Sequence, residues 1–390
     1  MKKGPAWAET RERFMDLEHY HSYLQVDLGA IERNVARIRR HIGPGRDLIP
    51  VVKGNAYGLG TVEVARTLSR RCGIRLMANA NLQESIQIRQ AQIPADLMIL
   101  GGLPPHAVPY AAEYDVQPAV FNRETAEIFS RACKDLHKIG KIQIKLETGM
   151  GRVGVKPGPE LDRLLDCVLG LGNLEIAGVF THYATAYQPG SEYTRRQLAL
   201  FQQGVKQMED RGIRPPYIHS AATAATVWLP ESHCTHVRCG SLYLGYSNLQ
   251  SRENPLGVEE PASWRAFITN IRQIEPGESV GYQRHFVAQK PTTVATVDVG
   301  YSAGLNRPLA LAGGPVLVKG QKTRYLGICM DQCFVDATGI DCRLFDQVTL
   351  LGRDGDAFLS LFELADFIDQ NIHSLLSAIN PNSVLRVYEN

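Results

Sequence analysis

A (β/α)8 barrel followed by a mostly β domain is the fold that the sequence predicts, on three observations. Short apolar runs recur at near-regular spacing as far as about residue 255. Most are followed by a segment whose apolar residues return every third and fourth position, as on one helix face. Beyond residue 256 the texture changes to β-branched, alternating runs separated by turn residues. Eight βα units in that span suit a closed barrel. A doubly wound sheet would need fewer strands and a reversal of their order.

In chain order, YLQVDLG (23–29) reads as a strand, but nothing in the sequence says which domain it joins. The barrel strands are LIPVVK (48–53), IRLMANA (74–80), DLMILG (96–101), VQPAV (116–120), IQIKLE (142–147), LEIAGVFTH (174–182), YIHS (217–220) and HVRCG (236–240). Between them TVEVARTLSRR (61–71), RETAEIFSRACKDL (123–136), GPELDRLLDCVLG (158–170) and RRQLALFQQGVKQMEDRG (195–212) carry the helical period. SWRAFITNIRQI, TTVATVDVGY, GPVLVKG, RYLGICMDQCFVDATG and DQVTLLGRDG then read as strands of the second domain, and SLFELADFIDQNI (360–372) as one helix within it. The expected division is an N-terminal extension at 1–22, a cofactor-binding barrel at 23–255 and the β domain at 256–390.

The composition excludes several function classes. The 390 residues carry a net charge of +2, with acids and bases scattered along the chain. That is no footprint for nucleic acid or a membrane surface. No stretch reaches the roughly 20 apolar residues of a membrane span. The start, MKKGPAWAETRERFMDLEHY, has charges throughout and no apolar run, unlike a secretory signal. A cytoplasmic enzyme is expected. The eight cysteines are dispersed and form no C-x-x-C pair. They read as small buried hydrophobes, and no metal is expected.

A barrel of this kind places its chemistry at the C-terminal strand ends. Those ends carry Lys53, Lys145, Glu147 and, in the next loop, Arg152; then His182, His219, Ser220, Arg238, Gly240 and Ser241. A lysine desolvated beside other cations favours its neutral form, which suits a Schiff base with a carbonyl. A lysine at a strand end also serves simply to reach solvent. Thr223, Gly240 and Ser241 suit a phosphate held by backbone N–H groups and small hydroxyls, although many βα turns use such residues. Pyridoxal phosphate on a lysine fits this set. So does a Schiff-base aldolase acting on a sugar phosphate.

Seven ordered motifs decide between them: VVKGNAYGLG (51–60), KLETGMGRVG (145–154), GVFTHYATA (178–186), VRCGSLYLG (237–245), ESVGYQRHF (278–286), VDVGYSAG (297–304) and GICMDQC (327–333). In content and order the chain resembles the alanine racemases, pyridoxal-phosphate enzymes with a barrel, a β domain and head-to-tail dimers. The resemblance implies that Lys53 is the cofactor lysine and the base on one face of the substrate α-carbon. Tyr282, from the partner subunit, is the base on the other face. It implies that Tyr57, Thr223, Gly240, Ser241 and His373 hold the phosphate. His182 packs beside the cofactor ring, and Arg238 faces the ring nitrogen. Arg152 meets the phenolic oxygen and the substrate carboxylate, with Met330 and Tyr301 of the partner completing the carboxylate site. Lys145 matches a lysine that is carbamylated in many members and positions that arginine. Supply of D-alanine for peptidoglycan fits the family.

The chain departs from the pattern in places. Gly54 stands where alanine is usual, Leu59 where histidine is, Ala222 and Thr223 where asparagine and serine are, and Ala303 where aspartate is. His373 falls where a tyrosine is usual, and Tyr187 where a smaller acidic residue is common. A smaller polar group at 373 leaves room for a substrate larger than alanine. Serine or a broader amino-acid range is therefore the alternative specificity. A basic amino-acid decarboxylase of the same fold is the further rival, but it would carry an acid where Arg238 stands.

Overall fold

The strand whose domain the sequence leaves open, β1 (Ser22–Asp27), joins the second domain. In the computed structural model, which describes residues 19–247 and 249–389, β1 pairs antiparallel with β11 (Ala262–Ile274) and parallel with β20 (Leu385–Glu389). Its alternation of buried and half-buried residues fits a sheet with one covered face. The chain divides into one unit of residues 29–56 and 61–259 and another of the described residues up to Leu28, Tyr57–Gly60 and Glu260 onward. The expected extension at 1–22 lies mostly outside the described residues.

Among the described residues of the first unit, nine short parallel strand segments, two of them halves of one strand, close an eight-stranded ring. β2 (Asp47–Pro50) pairs with β10 (His236–Cys239). β3 (Leu76–Asn79), β4 (Asp96–Ile99) and β5 (Val116–Gln117) pair in turn. β6 (Ala119–Val120), β7 (Gly140–Lys145), β8 (Leu174–Phe180) and β9 (Tyr217–His219) continue the series. Single bridges, Val51 to Ala78 and Ala222 to Arg238, complete two seams. β5 and β6 are one barrel strand split at Pro118, which has no N–H for the ladder. Its carbonyl still accepts from Gln143 N at 3.0 Å.

Helices α1 (Leu28–Ile42), α2 (Thr61–Arg70), α3 (Leu82–Gln90), α4 (Val108–Glu113), α5 (Arg123–Asp135), α6 (Pro159–Leu171), α7 (Glu192–Asp210) and α8 (Thr223–Trp228) lie between successive strands. Several start on a side-chain cap. Asn81, Asn122 and Ser191 accept from the N–H three residues on, each cap contributing about 1 kcal/mol. The barrel core includes Ile49, Leu76, Met98, Ala119 and Phe180. Polar side chains are buried too: Gln117, Gln143, His219 and Arg238 are at most 3 % exposed.

In the second unit β11, β14 (Thr292–Val297), β17 (Cys333–Asp336), β16 (Gln321–Ile328), β15 (Pro315–Val318) and β18 (Gln347–Asp354) close, among the described residues, a six-stranded antiparallel barrel. β11 shifts register against both neighbours, at Ile268–Asn270 and at Trp264–Arg265, which lets one long strand bend round the ring. β12 (Ser279–Val280) and β13 (Phe286–Val287) form a separate hairpin, and β19 (Ala357–Leu359) extends β18. The helix expected at 360–372 is two, α10 (Leu361–Phe367) and α11 (Ile372–Ser377). Asp369 takes φ 50° between them, where an α-helix cannot continue. A shorter helix, α9 (Arg307–Leu311), precedes β15.

The segment Tyr57–Gly60 packs within this second unit. Arg386 donates to Gly58 O through Nε (3.1 Å) and Nη2 (2.9 Å), and Tyr388 Oη donates to Leu59 O (3.1 Å). Gly58 has φ +95°, and a Cβ there would lie 2.3 Å from Leu376 O. Gly58→Ala is therefore expected to cost about 1–3 kcal/mol of stability, read from the midpoint of denaturant unfolding. An unchanged midpoint would contradict this packing. Among the described residues no helix is long and apolar enough to cross a membrane.

Candidate functional site

The chain leaves β2 through buried Val51 and Val52 and reaches Lys53 at the C-terminal rim of the first barrel. Gly54, Asn55 and Ala56 then take φ/ψ of 65/45°, 56/48° and 49/50°, and Tyr57 takes φ 55°. This is a full left-handed turn. Each L-residue in that region costs roughly 1–2 kcal/mol, so other contacts must hold it. Ala56 N donates to Val52 O (3.0 Å), Asn55 N to Glu84 Oε1 (2.8 Å), and Thr61 N to Asn55 Oδ1 (2.9 Å). Glu84 stands in the first turn of α3. Its Oε2 is buried with no hydrogen-bond partner among the described residues.

Arg152, Lys145 and His182 act electrostatically with Lys53, and Arg238 acts on Lys145 and His182. Partial burial, then the charge of Arg152, push the Lys53 pKa down, while Glu84 opposes them. Lys145, at the end of β7, is 4 % exposed and donates from Nζ to Leu100 O at 2.9 Å. Burial, Arg152 and Arg238 bring its pKa down to about 7. His182 follows β8; burial and the charges of Arg238, Arg152, Lys145 and Lys53 bring it down to about 3, so it is neutral at neutral pH. Arg152 is exposed on the loop after β7. Glu147 organises that loop, accepting from Gly151 N (3.0 Å) and Arg152 N (3.3 Å). Partial burial acts to raise the Glu147 pKa, but these backbone donors outweigh it and the net shift is downward.

Arg238 on β10 is almost fully buried and has no ion-pair partner among the described residues. It is satisfied by neutral acceptors instead. Nη1 donates to His219 O (2.7 Å) and His219 Nδ1 (3.0 Å). Nη2 donates to Thr181 O (2.5 Å) and Ser220 O (3.3 Å), with His182 Nδ1 at 3.4 Å. Burial lowers its pKa to about 10, which still leaves it charged at neutral pH. The Phe180 ring lies 5.3 Å from the guanidinium carbon and 5.2 Å from Lys145 Nζ. Its face offers both cations a partner in place of a carboxylate.

Thr223 opens α8, where Ala222 supplies no side-chain cap. Gly240 N and Ser241 Oγ each donate to Thr223 Oγ1 at 3.3 Å. These are long, weak bonds among small neutral donors, which a phosphate oxygen would replace with stronger ones. The residues present therefore fit pyridoxal phosphate. There is an amine of lowered proton affinity for the aldehyde, hydroxyl and N–H donors for the phosphate, and a cation for the ring nitrogen.

The remaining expected residues belong to the second unit. Tyr57 and His373 meet there, with ring centroids 5.1 Å apart. Tyr301 N donates to Cys329 O (3.3 Å) and Ser302 N to Met330 O (2.9 Å), so the turn that carries Tyr301 is bonded to the one that carries Met330. A Cβ at Gly300 would lie 2.3 Å from Met330 O, so only glycine admits this approach. Tyr282 stands in the turn between β12 and β13. Arg284 straps that turn, donating to Gly277 O (3.0 Å) and Ser279 Oγ (3.2 Å). Tyr282, Met330 and Tyr301 are 77 %, 60 % and 42 % exposed. Glu84, Phe180 and the role of His219 were not read from the sequence. A carboxylate inside a helical segment and a phenylalanine in an apolar run give no signal there.

Comparison with known proteins points to one family. Residues 26–248 match the family model described as alanine racemase, N-terminal domain, and residues 262–388 the C-terminal domain. The alanine racemase of Clostridium tetani is 32 % identical over 369 residues, covering 94 % of this chain and 95 % of that protein. A structure of Bacillus anthracis alanine racemase with bound L-Ala-P has TM-score 0.89 and 31 % identity, covering 95 % of this chain and 96 % of that one. The Bartonella henselae enzyme, with covalently bound pyridoxal phosphate, has TM-score 0.83 and 25 % identity, covering 95 % and 99 %.

Proposed function

From the premise that this chain belongs to the alanine racemase family, we propose the residue roles by which it works. Members are pyridoxal-phosphate-dependent isomerases, and this chain interconverts L- and D-alanine. The observation that carries the mechanism is Arg238, a buried cation satisfied by neutral acceptors alone. A guanidinium cannot be deprotonated under these conditions. Arg238 therefore gives no proton to the ring nitrogen, and proton movement stays with two bases. A decarboxylase of this fold would carry an acid there.

Bound pyridoxal phosphate supplies an electron sink for charge at the substrate α-carbon. Lys53 holds the cofactor and takes the α-proton on one face. Tyr282 of a partner copy returns a proton on the other, and the reverse reaction exchanges their roles. Tyr57, His373, Thr223, Gly240 and Ser241 hold the phosphate. His182, neutral and buried, packs beside the ring. Arg152 meets the phenolic oxygen and the substrate carboxylate, which Tyr301 and the Met330 N–H of the partner also receive. The exposure of Tyr282, Met330 and Tyr301 in the lone chain supports a homodimer with shared sites. We place the enzyme in the cytoplasm, supplying D-alanine for peptidoglycan; activity found only in an exported fraction would overturn that.

Lys145 is a candidate for carbamylation. At a pKa of about 7 a large share of it is the neutral amine at neutral pH. The amine adds to carbon dioxide, forming an N–C bond and releasing one proton. The resulting anion would face Arg152. Carbon-13 bicarbonate should give a protein-bound carbamate resonance that Lys145→Ala removes; a spectrum without it would refute the modification.

The test of function is chiral chromatography of the holoenzyme with each L-amino acid. L-alanine should racemise fastest. Faster turnover of L-serine would mean that His373 has changed the pocket. No racemisation of any substrate would overturn the mechanism.

A further inference from the structure

His219 is the acceptor that Arg238 meets inside the barrel, and it is not isolated. His219 Nε2 lies 3.3 Å from Gln143 Oε1, Gln143 Nε2 donates to Gln117 Oε1 (2.6 Å), and Gln117 Nε2 donates to Asp96 Oδ2 (3.5 Å). The chain spans β10, β9, β7, β5 and β4, from the C-terminal ends of β9 and β10 to the N-terminal end of β4. Gln117, Gln143 and His219 are at most 3 % exposed.

Both ends dictate its direction. A guanidinium can only donate, so His219 Nδ1 must accept. The neutral ring then carries its proton on Nε2 and donates to Gln143. Each amide, having accepted through oxygen, donates through nitrogen to the next. An ionised carboxylate can only accept, so Asp96 terminates the series. Asp96 is half-exposed and also lies 3.7 Å from Lys141 Nζ. It therefore acts as the final acceptor more than as a counter-charge, because solvent screens it. Reversing any amide would set two donors or two acceptors face to face.

The barrel wall is shaped round this amide. A Cβ at Gly178 on β8 would lie 1.9 Å from Gln143 Oε1, and the β7–β8 register shifts between Ile142 and Gln143. Phe180 stacks on His219 with centroids 5.1 Å apart and planes 6° apart, which fixes the ring plane but not its tautomer.

We propose that Gln143 and Gln117 are positioning residues for Arg238: they hold His219 as the Nε2–H tautomer, and so keep an acceptor at Nδ1 for the guanidinium. The consequence for catalysis rests on the reading that Arg238 faces the cofactor nitrogen. Without Gln143 the ring gains access to the Nδ1–H form, which opposes a donor to Arg238 Nη1 and displaces it. A displaced Arg238 restrains the cofactor less, and transamination takes a larger share of turnovers.

The test uses holoenzyme labelled with nitrogen-15 histidine, with His219 assigned by His219→Gln. Wild type should show the proton on Nε2. Gln143→Leu and, one residue further along, Gln117→Leu should show a protonated or exchanging Nδ1. Both should raise the ratio of transamination to racemisation by about tenfold, the lower end of what losing an outer-shell partner costs at metal-binding histidines. Gln143→Glu keeps an acceptor oxygen and should keep the wild-type tautomer. An unchanged tautomer in both Leu variants overturns the proposal, even where stability falls. Arg238→Gln is the control for the underlying reading. If it leaves the ratio unchanged, the reading of Arg238 fails. If it raises the ratio while the Leu variants do not, the proposal fails and the reading stands.

Discussion

Lys53→Ala is expected to abolish racemisation, lowering kcat by more than about 10⁴-fold, because one residue both holds the cofactor and moves the proton. The holoenzyme should lose its imine absorbance while retaining some cofactor through the Thr223, Gly240 and Ser241 donors. The lysine is well prepared for the role. It sits at the rim of the barrel with its proton affinity lowered by partial burial and Arg152. The fold itself should survive, since Lys53 stands in front of the left-handed turn and the bonds that hold the turn come from Val52, Asn55 and Glu84. A retained imine band in Lys53→Ala would refute the lysine assignment. Simple unfolding would show as a lost far-ultraviolet signal, which separates the two outcomes.

Tyr282→Phe should act unequally on the two enantiomers. Removing one base of an opposed pair costs about 10²–10⁴-fold in the step that it performs. Exchange of the α-proton with solvent should therefore fall for one enantiomer far more than for the other. Equal loss with both would count against opposed bases. The exposure of Tyr282 leads to a second experiment. Mixing Lys53→Ala and Tyr282→Phe chains and letting the subunits exchange should rebuild one intact site in each mixed dimer. With random pairing that gives about a quarter of wild-type activity, since half the dimers are mixed and each has one working site. No recovery would argue that each site lies within one chain.

The barrel was legible because it is local. Each strand is a short apolar run, and the segments 61–71, 123–136, 158–170 and 195–212 announce themselves as helices by their period. What failed to show was partnership across the sequence. β1 looks like any alternating strand, and only its pairing with β11 and β20 gives it a domain. The break at Asp369 is one residue in a left-handed conformation that helical periodicity does not register. Lys53, Lys145, Arg152, His182 and Arg238 could be found as ionisable groups at strand ends. His219 stood at a strand end as well, but its role depends on Gln143, 76 residues away. Glutamine carries no charge and no periodicity, so only alternation along β7, which puts Gln143 on the same face as Lys145, hinted at it.

The left-handed turn has a consequence for how its motif can drift. Gly54 stands where the resembling motif carries alanine. It has φ 65°, and a Cβ there would meet nothing within 4 Å. Alanine at 54 would add about 1–2 kcal/mol of backbone strain and remove about 0.4–1 kcal/mol of freedom from the unfolded chain. The strain is the larger effect, so glycine is the more stable residue at 54 even though the space would admit a methyl group. Ala56, buried and also left-handed, already carries that strain. Glycine next to the lysine therefore lightens a turn that is strained at each of the three residues after it.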